Sequence, residues 1–225
     1  MPILAYILTA LTAYLLGSIP TGFLAAKAKG VDIRAVGSGN IGATNAMRVL
    51  GKPAGILVLL VDCAKGFAAC CFGTFVAIYF MNGLNGIHSV DDNSVEATLN
   101  SLPNFPIIAG IFAVLGHNYT CWLKFRGGKG VATTAGVYLA LAPAALGIAF
   151  GIFILTVLLT RYVSVGAIMA AIALPVLVWA MTPDNLFLGI VTTALGALAI
   201  YKHKSNIHRL IAGTENRLGN KKDKI

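Results

Sequence analysis

Long apolar runs alternate with short polar ones along this chain. The stretches 3–26, 103–123, 130–160, 164–181 and 186–201 carry no Lys, Arg, Asp or Glu, and 53–81 carries only Asp62 and Lys65. Most of these runs approach the ~20 residues needed to cross a bilayer as a helix. They are continuous rather than alternating, which argues against a β-barrel. Pro53 suits the first turn of the second run. Pro20 should remove one helical hydrogen bond and free a carbonyl upstream in the first.

The run 130–160 is uncharged for 31 residues and contains Pro143. As one helix it would be about 46 Å long, against a hydrocarbon core of ~30 Å. A single crossing would also leave the basic tail, with Lys202, Lys204, Arg209 and Arg217, on the outer side. A two-segment hairpin broken near Pro143 keeps the cations inside, as the distribution of Lys and Arg in membrane proteins requires. The acidic stretch 82–102 holds Asp91, Asp92 and Glu96 with no Lys or Arg, so it reads as an outer loop.

The expected fold is therefore all-α. It is a polytopic integral membrane protein of seven transmembrane segments, with the N-terminus outside and the C-terminus cytoplasmic. One transmembrane domain is expected over 1–225, with an extra outer loop at 82–102 and a basic cytoplasmic tail at 202–225. Lys27 and Lys29 follow the first run and read as an inner-face anchor, and no cation precedes it, so that run reads as an uncleaved helix rather than a signal peptide.

Composition supports the same class. Of 225 residues, 57% are hydrophobic and only 11% charged, against roughly 25% charged in soluble domains. The net charge of +9 is explained in part by topology and by anionic lipid headgroups, and no nucleic-acid partner is expected. Cys63, Cys70, Cys71 and Cys121 make no CxxC pair, and the four histidines are scattered. No metal and no cofactor is expected.

Two glycine-rich polar runs carry the candidate chemistry. The first is Gly37-Ser38-Gly39-Asn40-Ile41-Gly42-Ala43-Thr44-Asn45, closed by Arg48. It is a poor helix, and it can present backbone N–H groups, hydroxyls and amides to one anion. Arg48 adds a planar fork suited to phosphate. The second is Arg126-Gly127-Gly128-Lys129-Gly130-Val131-Ala132-Thr133. Glycines around a lysine just before a helix would offer an anion N–H groups, the positive dipole end and an ammonium together. Neither run has the spacing of a Walker loop or a dinucleotide fingerprint. In the tail, His203, Asn206 and Arg209 recur every three residues, so a helical turn would place them on one face. Ser18, Asp62, Lys65, His117 and Glu215 are possible site-wall residues. Two phosphate-gripping loops at one membrane face point to a phosphorylated substrate.

These residues resemble one family, the bacterial acyl-phosphate:glycerol-3-phosphate acyltransferases (the PlsY family). The resemblance rests on Ser18-x-Pro20-x-Gly22, the 37–45 run with Arg48, Asp62-x-x-Lys65-Gly66, and Gly116-His117 through Thr133. It continues in His203-x-x-Asn206-x-x-Arg209-x-x-x-Gly213-x-Glu215. Two departures stand out. Thr120 occupies a place where the family often has proline, and the 82–102 loop is an extra segment.

The resemblance implies a bacterial cytoplasmic (inner) membrane enzyme with its site facing the cytoplasm. It would transfer a fatty acyl group from acyl phosphate to the sn-1 hydroxyl of glycerol 3-phosphate, giving lysophosphatidic acid and phosphate in phospholipid biosynthesis. Acyl phosphate, glycerol 3-phosphate, membrane lipids and the phosphate acyltransferase that makes acyl phosphate are the implied partners. Ser38, Arg48, Lys129, His203 and Asn206 are then the candidate catalytic residues. Gly37, Gly39, Asn40, Gly42, Thr44, Asn45, Gly127, Gly128, Gly130 and Arg209 are candidates for binding substrate phosphates. The acyl tail would lie in a groove between helices, reached from the bilayer. The competing reading is a membrane transporter of organic phosphates, which would share the spans and the cations. A lipid-binding scaffold without catalysis is a third.

Overall fold

The computed structural model describes residues 2–85 and 104–219. Every regular element among them is helical: α1 (Pro2–Ser18), α2 (Thr21–Lys27), α3 (Ala43–Leu50), α4 (Lys52–Asn85), α5 (Phe105–Asn118), α6 (Val131–Leu141), α7 (Pro143–Thr160), α8 (Val163–Met181), α9 (Leu186–Lys202) and α10 (Lys204–Ile211). A 3₁₀ turn, Cys121–Leu123, follows α5. Most of the expected outer loop, and the tail beyond Gly219, lie outside the described residues. The first residues assigned to that loop belong instead to α4, which runs on to Asn85.

Among the described residues, five stretches are long and apolar enough to cross a membrane: Ile3–Lys27, Lys52–Tyr79, Phe105–Leu123, Pro143–Thr160 and Val163–Met181. A sixth arises if α9 and α10, bent by 52° at His203, count together. The apolar run 130–160 is broken where expected, with α6 ending at Leu141 and α7 beginning at Pro143. Proline is tolerated there because its missing N–H falls in the first turn. The N-terminal half of that run is short. α6 has 11 residues and is about 16 Å long, too short for a hydrocarbon core of ~30 Å.

The short helix is nevertheless the centre of the bundle. Val137 and Tyr138 of α6 pack in one buried cluster with Cys70 of α4, Ile107 and Val114 of α5, Leu174 and Val178 of α8, and Leu188 and Leu195 of α9. Large apolar side chains point outward instead, among them Leu8, Leu11 and Leu15 of α1 and Leu155, Leu158 and Leu159 of α7. In a lipid solvent apolar contact alone does not bring helices together, so small residues that permit close backbone approach must do so. α4 and α6 meet this way. A Cβ on Gly66 would run into the carbonyl oxygen of Thr133, and one on Gly136 into that of Cys63. A second cluster, Ala26, Ile33, Ile41, Ala46, Val58 and Leu123, fastens the loop after α2 and the helix α3 onto α4.

Gly136→Val tests this crossing. The added methyls have no room at the α4–α6 contact, so the variant should lose about 1–3 kcal/mol. A lowered thermal midpoint of the purified protein in detergent is the expected result.

Candidate active site

The break between α1 and α2 is the first piece of the site. Without a helical partner downstream, two carbonyls are left for side chains. Ser18 O accepts from Thr120 Oγ1 at 2.6 Å, and Ile19 O accepts from Lys65 Nζ at 2.9 Å. The carbonyl that Pro20's missing donor would leave, Leu16 O, is taken by Ile19 N at 3.3 Å; the opened carbonyls are instead those at the end of α1, and Thr120, one of the two departures from the family pattern, supplies a donor to one of them. Ser18 itself bonds weakly to Gly116 O at 3.4 Å and lies away from the cavity described below.

Lys65 is almost fully buried, as is Asp62. Besides Ile19 O, the ammonium reaches Asp62 Oδ1 at 2.8 Å and His117 Nδ1 at 3.0 Å. Three donors therefore meet three acceptors. Asp62 Oδ1 also accepts from Thr21 Oγ1 at 3.0 Å. The cluster joins α2, α4, α5 and the α1–α2 break. A charge in such a place is tolerated only when paired and hydrogen-bonded.

The 37–48 loop is folded around Asn45. Its Nδ2 donates to the carbonyls of Ile33, Val36 and Asn40, and its Oδ1 accepts from Ser38 N at 2.9 Å. Asn45 is buried, and its amide is committed to shaping the loop rather than to a ligand. Gly37 has φ +64, and a Cβ there would collide with Asn45 Oδ1, so this glycine serves the turn. Asn40 Oδ1 accepts from Gly42 N at 2.9 Å, which leaves its Nδ2 hydrogens to the cavity. Ser38, Asn40, Gly42, Thr44, Asn45 and Arg48 all line that cavity, together with the first residue of α3, Ala43. Gly37 and Gly39 do not line it.

The second glycine run behaves differently from the expected cradle. The chain turns sharply at Lys124 and Phe125, both with positive φ. It then lays Gly127 N on Asn118 O at 3.2 Å and Gly128 N on His117 O at 3.0 Å. These two N–H groups satisfy the end of α5 and are not offered to an anion. A Cβ on Gly128 would strike the His117 ring, so the glycine is required for packing. Lys129 and Gly130 alone of this run's glycine–lysine core face the cavity.

The tail closes the site. Lys129 Nζ donates to Asn206 Oδ1, and Asn206 Nδ2 donates to Glu215 Oε1 at 2.7 Å. Glu215 also accepts from Arg209 Nε at 2.7 Å and from Ser164 Oγ at 2.9 Å. Burial alone would raise the Glu215 pKa; the donors Asn206, Arg209 and Ser164 outweigh it and hold the carboxyl below its usual range. His203 Nδ1 lies 2.8 Å from Ala199 O. A carbonyl only accepts, so Nδ1 carries the proton and Nε2 is left as an acceptor. Burial pushes the imidazole down to about 4, with the Ala199 bond opposing, and it is neutral near pH 7. Burial, with Arg209 and then Arg48 adding repulsion against the attraction of Glu215, pushes the Lys129 ammonium down to about 8.

One cavity of about 160 Å³ collects these groups: Ser38, Asn40 and Arg48 from the first loop, Lys129 from the second, His203, Asn206 and Glu215 from the tail, and Asp62 and His117 from the buried cluster. Asn40 and Lys129, 89 residues apart, thus share one wall-to-wall space. Arg209 and Lys65 act from behind its lining, through Glu215 and Asp62. Sequence reasoning did not single out Ser164, the polar side chain in the first turn of an otherwise apolar helix, nor Lys202, whose ammonium bonds Asn118 O at 3.0 Å and sits over the Tyr119 ring. The position of Ser164 just after the basic Arg161 could have pointed to it. Adjoining the polar cavity, and sharing Thr44, Val131, Phe153, Val163 and Ala167 with it, lies an apolar groove of about 460 Å³ walled by α6, α7, α8 and α9 and by Met47 of α3 and Leu59 of α4.

Comparison with known proteins agrees with this picture. The family model for glycerol-3-phosphate acyltransferase matches residues 7–213. Curated glycerol-3-phosphate acyltransferases are similar over nearly the whole chain. That of Geotalea daltonii is 43% identical over 205 residues, covering 91% of this chain and 93% of its own. That of Geobacter sulfurreducens is 44% identical, covering 94% and 96%. The crystal structure of PlsY (YgiH), an integral membrane glycerol 3-phosphate acyltransferase, is similar in its glycerol 3-phosphate form, with a TM-score of 0.79, 37% identity and coverage of 95% of this chain and 96% of that one. Its lysophosphatidic acid form gives a TM-score of 0.75 at 38% identity, covering 95% of each chain.

Two outcomes follow from the geometry. A lysine depressed to about 8 is charged below that pH and loses its proton above it. The kcat/KM of the wild type, which reports the free enzyme, should therefore fall with an alkaline midpoint near 8, and Lys129→Arg should move that fall to higher pH. Lys65→Met would strand Asp62 as a buried charge without its cation and should cost about 3–5 kcal/mol of stability, measured as loss of folded protein on heating in detergent.

Proposed function

This chain belongs to the glycerol-3-phosphate acyltransferase family and is an acyltransferase, and from that premise we propose that it moves a fatty acyl group from acyl phosphate to the sn-1 hydroxyl of glycerol 3-phosphate. The products are lysophosphatidic acid and inorganic phosphate. It is an integral membrane protein. We place it in the bacterial cytoplasmic membrane, as one transmembrane domain of seven segments, the short α6 among them passing through only part of the hydrocarbon core, with an outer N-terminus and a cytoplasmic C-terminus. Its site faces the cytoplasm, where glycerol 3-phosphate is dissolved and the cations gather. The transporter reading loses its ground, since the relatives are acyltransferases.

The observation that carries the proposal is the joining of two unlike spaces. A small polar cavity edged by Arg48 and Lys129 runs directly into an apolar groove between helices. The first suits two phosphate groups and the second a fatty chain. Bringing two anionic reactants together costs Coulomb repulsion in a poorly solvated site unless fixed cations offset it. Lys129 and Arg48 provide that offset, with Arg209 behind them.

Acyl phosphate is already activated, so a covalent enzyme intermediate is not needed. The sn-1 oxygen forms a bond to the acyl carbon, the bond from that carbon to the phosphate oxygen breaks, and the hydroxyl proton passes to the departing phosphate. His203, held near 4 by burial, is too weak a base to take the proton at neutral pH. Its Nε2 can accept a hydrogen bond and aim the hydroxyl. Asn40, Ser38 and the first N–H groups of α3 are the donors nearest the developing oxyanion in this scheme. The partner that supplies acyl phosphate is a phosphate acyltransferase.

Product analysis with acyl phosphate, acyl-CoA and acyl-carrier protein offered separately with glycerol 3-phosphate tests the donor. Lysophosphatidic acid is expected from acyl phosphate alone, and turnover with acyl-CoA alone would overturn the assignment. Lys129→Ala should lower kcat/KM by about 10²–10³-fold, the scale of losing one preorganised charge-stabilising donor, with membrane insertion intact. His203→Ala should keep measurable turnover. Complete loss with normal substrate binding would return the role of base to the histidine.

A further inference from the structure

The apolar groove changes character along its length. Nearer the polar cavity the walls given by α6 and α8 carry small side chains, Ala135 on α6 and Ala167, Ala170 and Ala171 on α8, while Leu59 and Phe153 border that end from α4 and α7. At its other end stand Tyr138 of α6, Leu146 of α7 and Leu174 of α8. The depth is the same on each helix. Tyr138 lies seven residues along α6 from Val131, Leu146 seven along α7 from Phe153, and Leu174 seven along α8 from Ala167. The three starting residues border both spaces, and seven helical residues measure about 10 Å.

Tyr138 is held in place unusually well for a side chain among lipids. It is 0% exposed. Its hydroxyl donates to Thr192 Oγ1 at 2.6 Å, and Thr192 in turn donates to Leu188 O at 2.6 Å. The ring cannot swing aside without breaking a buried hydrogen bond where no water replaces it. A fatty donor arriving from the bilayer gains little from apolar contact as such, because the lipid it leaves is equally apolar. Discrimination between chains must then come from fit against a fixed surface.

We propose that Tyr138, pinned by Thr192, is the floor of the acyl site and sets the acyl-chain length that the enzyme prefers. This rests on the reading of the groove as the acyl site. Thr192 keeps its bond to Leu188 O when Tyr138 is replaced, so enlarging the floor strands no buried donor.

The test is the kcat/KM of purified enzyme with glycerol 3-phosphate and a series of acyl phosphates of graded length. Tyr138→Leu deepens the groove and should raise the ratio of longer to shorter donors by about tenfold, the scale at which one methylene too many is felt in a fitted pocket. Ala170→Phe adds bulk to the open part of the groove, creates no cavity, and should shift the ratio the other way by a similar factor. Tyr138→Phe keeps the bulk of the ring but loses its bond to Thr192, and should shift the ratio in the same direction as Tyr138→Leu but by a smaller factor. An unchanged length profile in Tyr138→Leu and Ala170→Phe, with acyl transfer intact, overturns the floor. Failure of the wild type to accept any acyl phosphate overturns the acyl-site reading itself.

Discussion

One carboxylate organises the reaction space. Glu215 accepts hydrogen bonds from Ser164, Asn206 and Arg209, and so ties the start of α8 to α10. Asn206 can face Lys129 with its oxygen only because its amide nitrogen is claimed by Glu215. The carboxylate also sets a negative charge among Lys129, Arg48 and Arg209. Without it, three cations would crowd a poorly hydrated corner before any substrate arrived. With it, the cluster stays folded when empty and still keeps net positive charge for two phosphates.

A second buried network fixes the opposite wall. Asp62, Lys65 and His117 draw α4 and α5 onto the opened end of α1. The same histidine gives its backbone carbonyl to Gly128, so the loop that ends in Lys129 is registered against a charged core rather than left to solvent. Both networks are paid for by desolvation, and both hold polar groups at the edge of an apolar bundle where alternatives are few.

The helices were legible in the sequence because charge is so expensive in lipid that removing charged positions leaves the spans. Pro143 marked the break between α6 and α7, and Pro20 the opening after α1, since proline's missing donor acts locally. The cation set of the cavity was legible for a similar reason: Arg48 and Lys129 sit in runs too rich in glycine for mere anchoring. What stayed hidden was the use of individual hydrogen bonds. Gly127 and Gly128 looked like an anion cradle, yet their N–H groups close the end of α5. Asn45 looked like a ligand donor, and although it borders the cavity its amide is spent on the loop's own carbonyls and on Ser38 N. Which partner a backbone or amide group takes depends on elements far away in the chain, and no local spacing records it. Ser164 was missed on the same account, as its partner lies 51 residues on.

The last described stretch of the chain is folded back rather than trailing away. Leu218 N bonds Arg161 O at 2.8 Å, and Arg217 lies over the Tyr162 ring with its Nε on the phenol oxygen. This fastening sits beside the carboxylate on which Asn206 depends, and Leu218 borders the groove. A protease or an engineered fusion that disturbed this hem would therefore act on turnover, although it would touch none of the polar groups assigned to the phosphates.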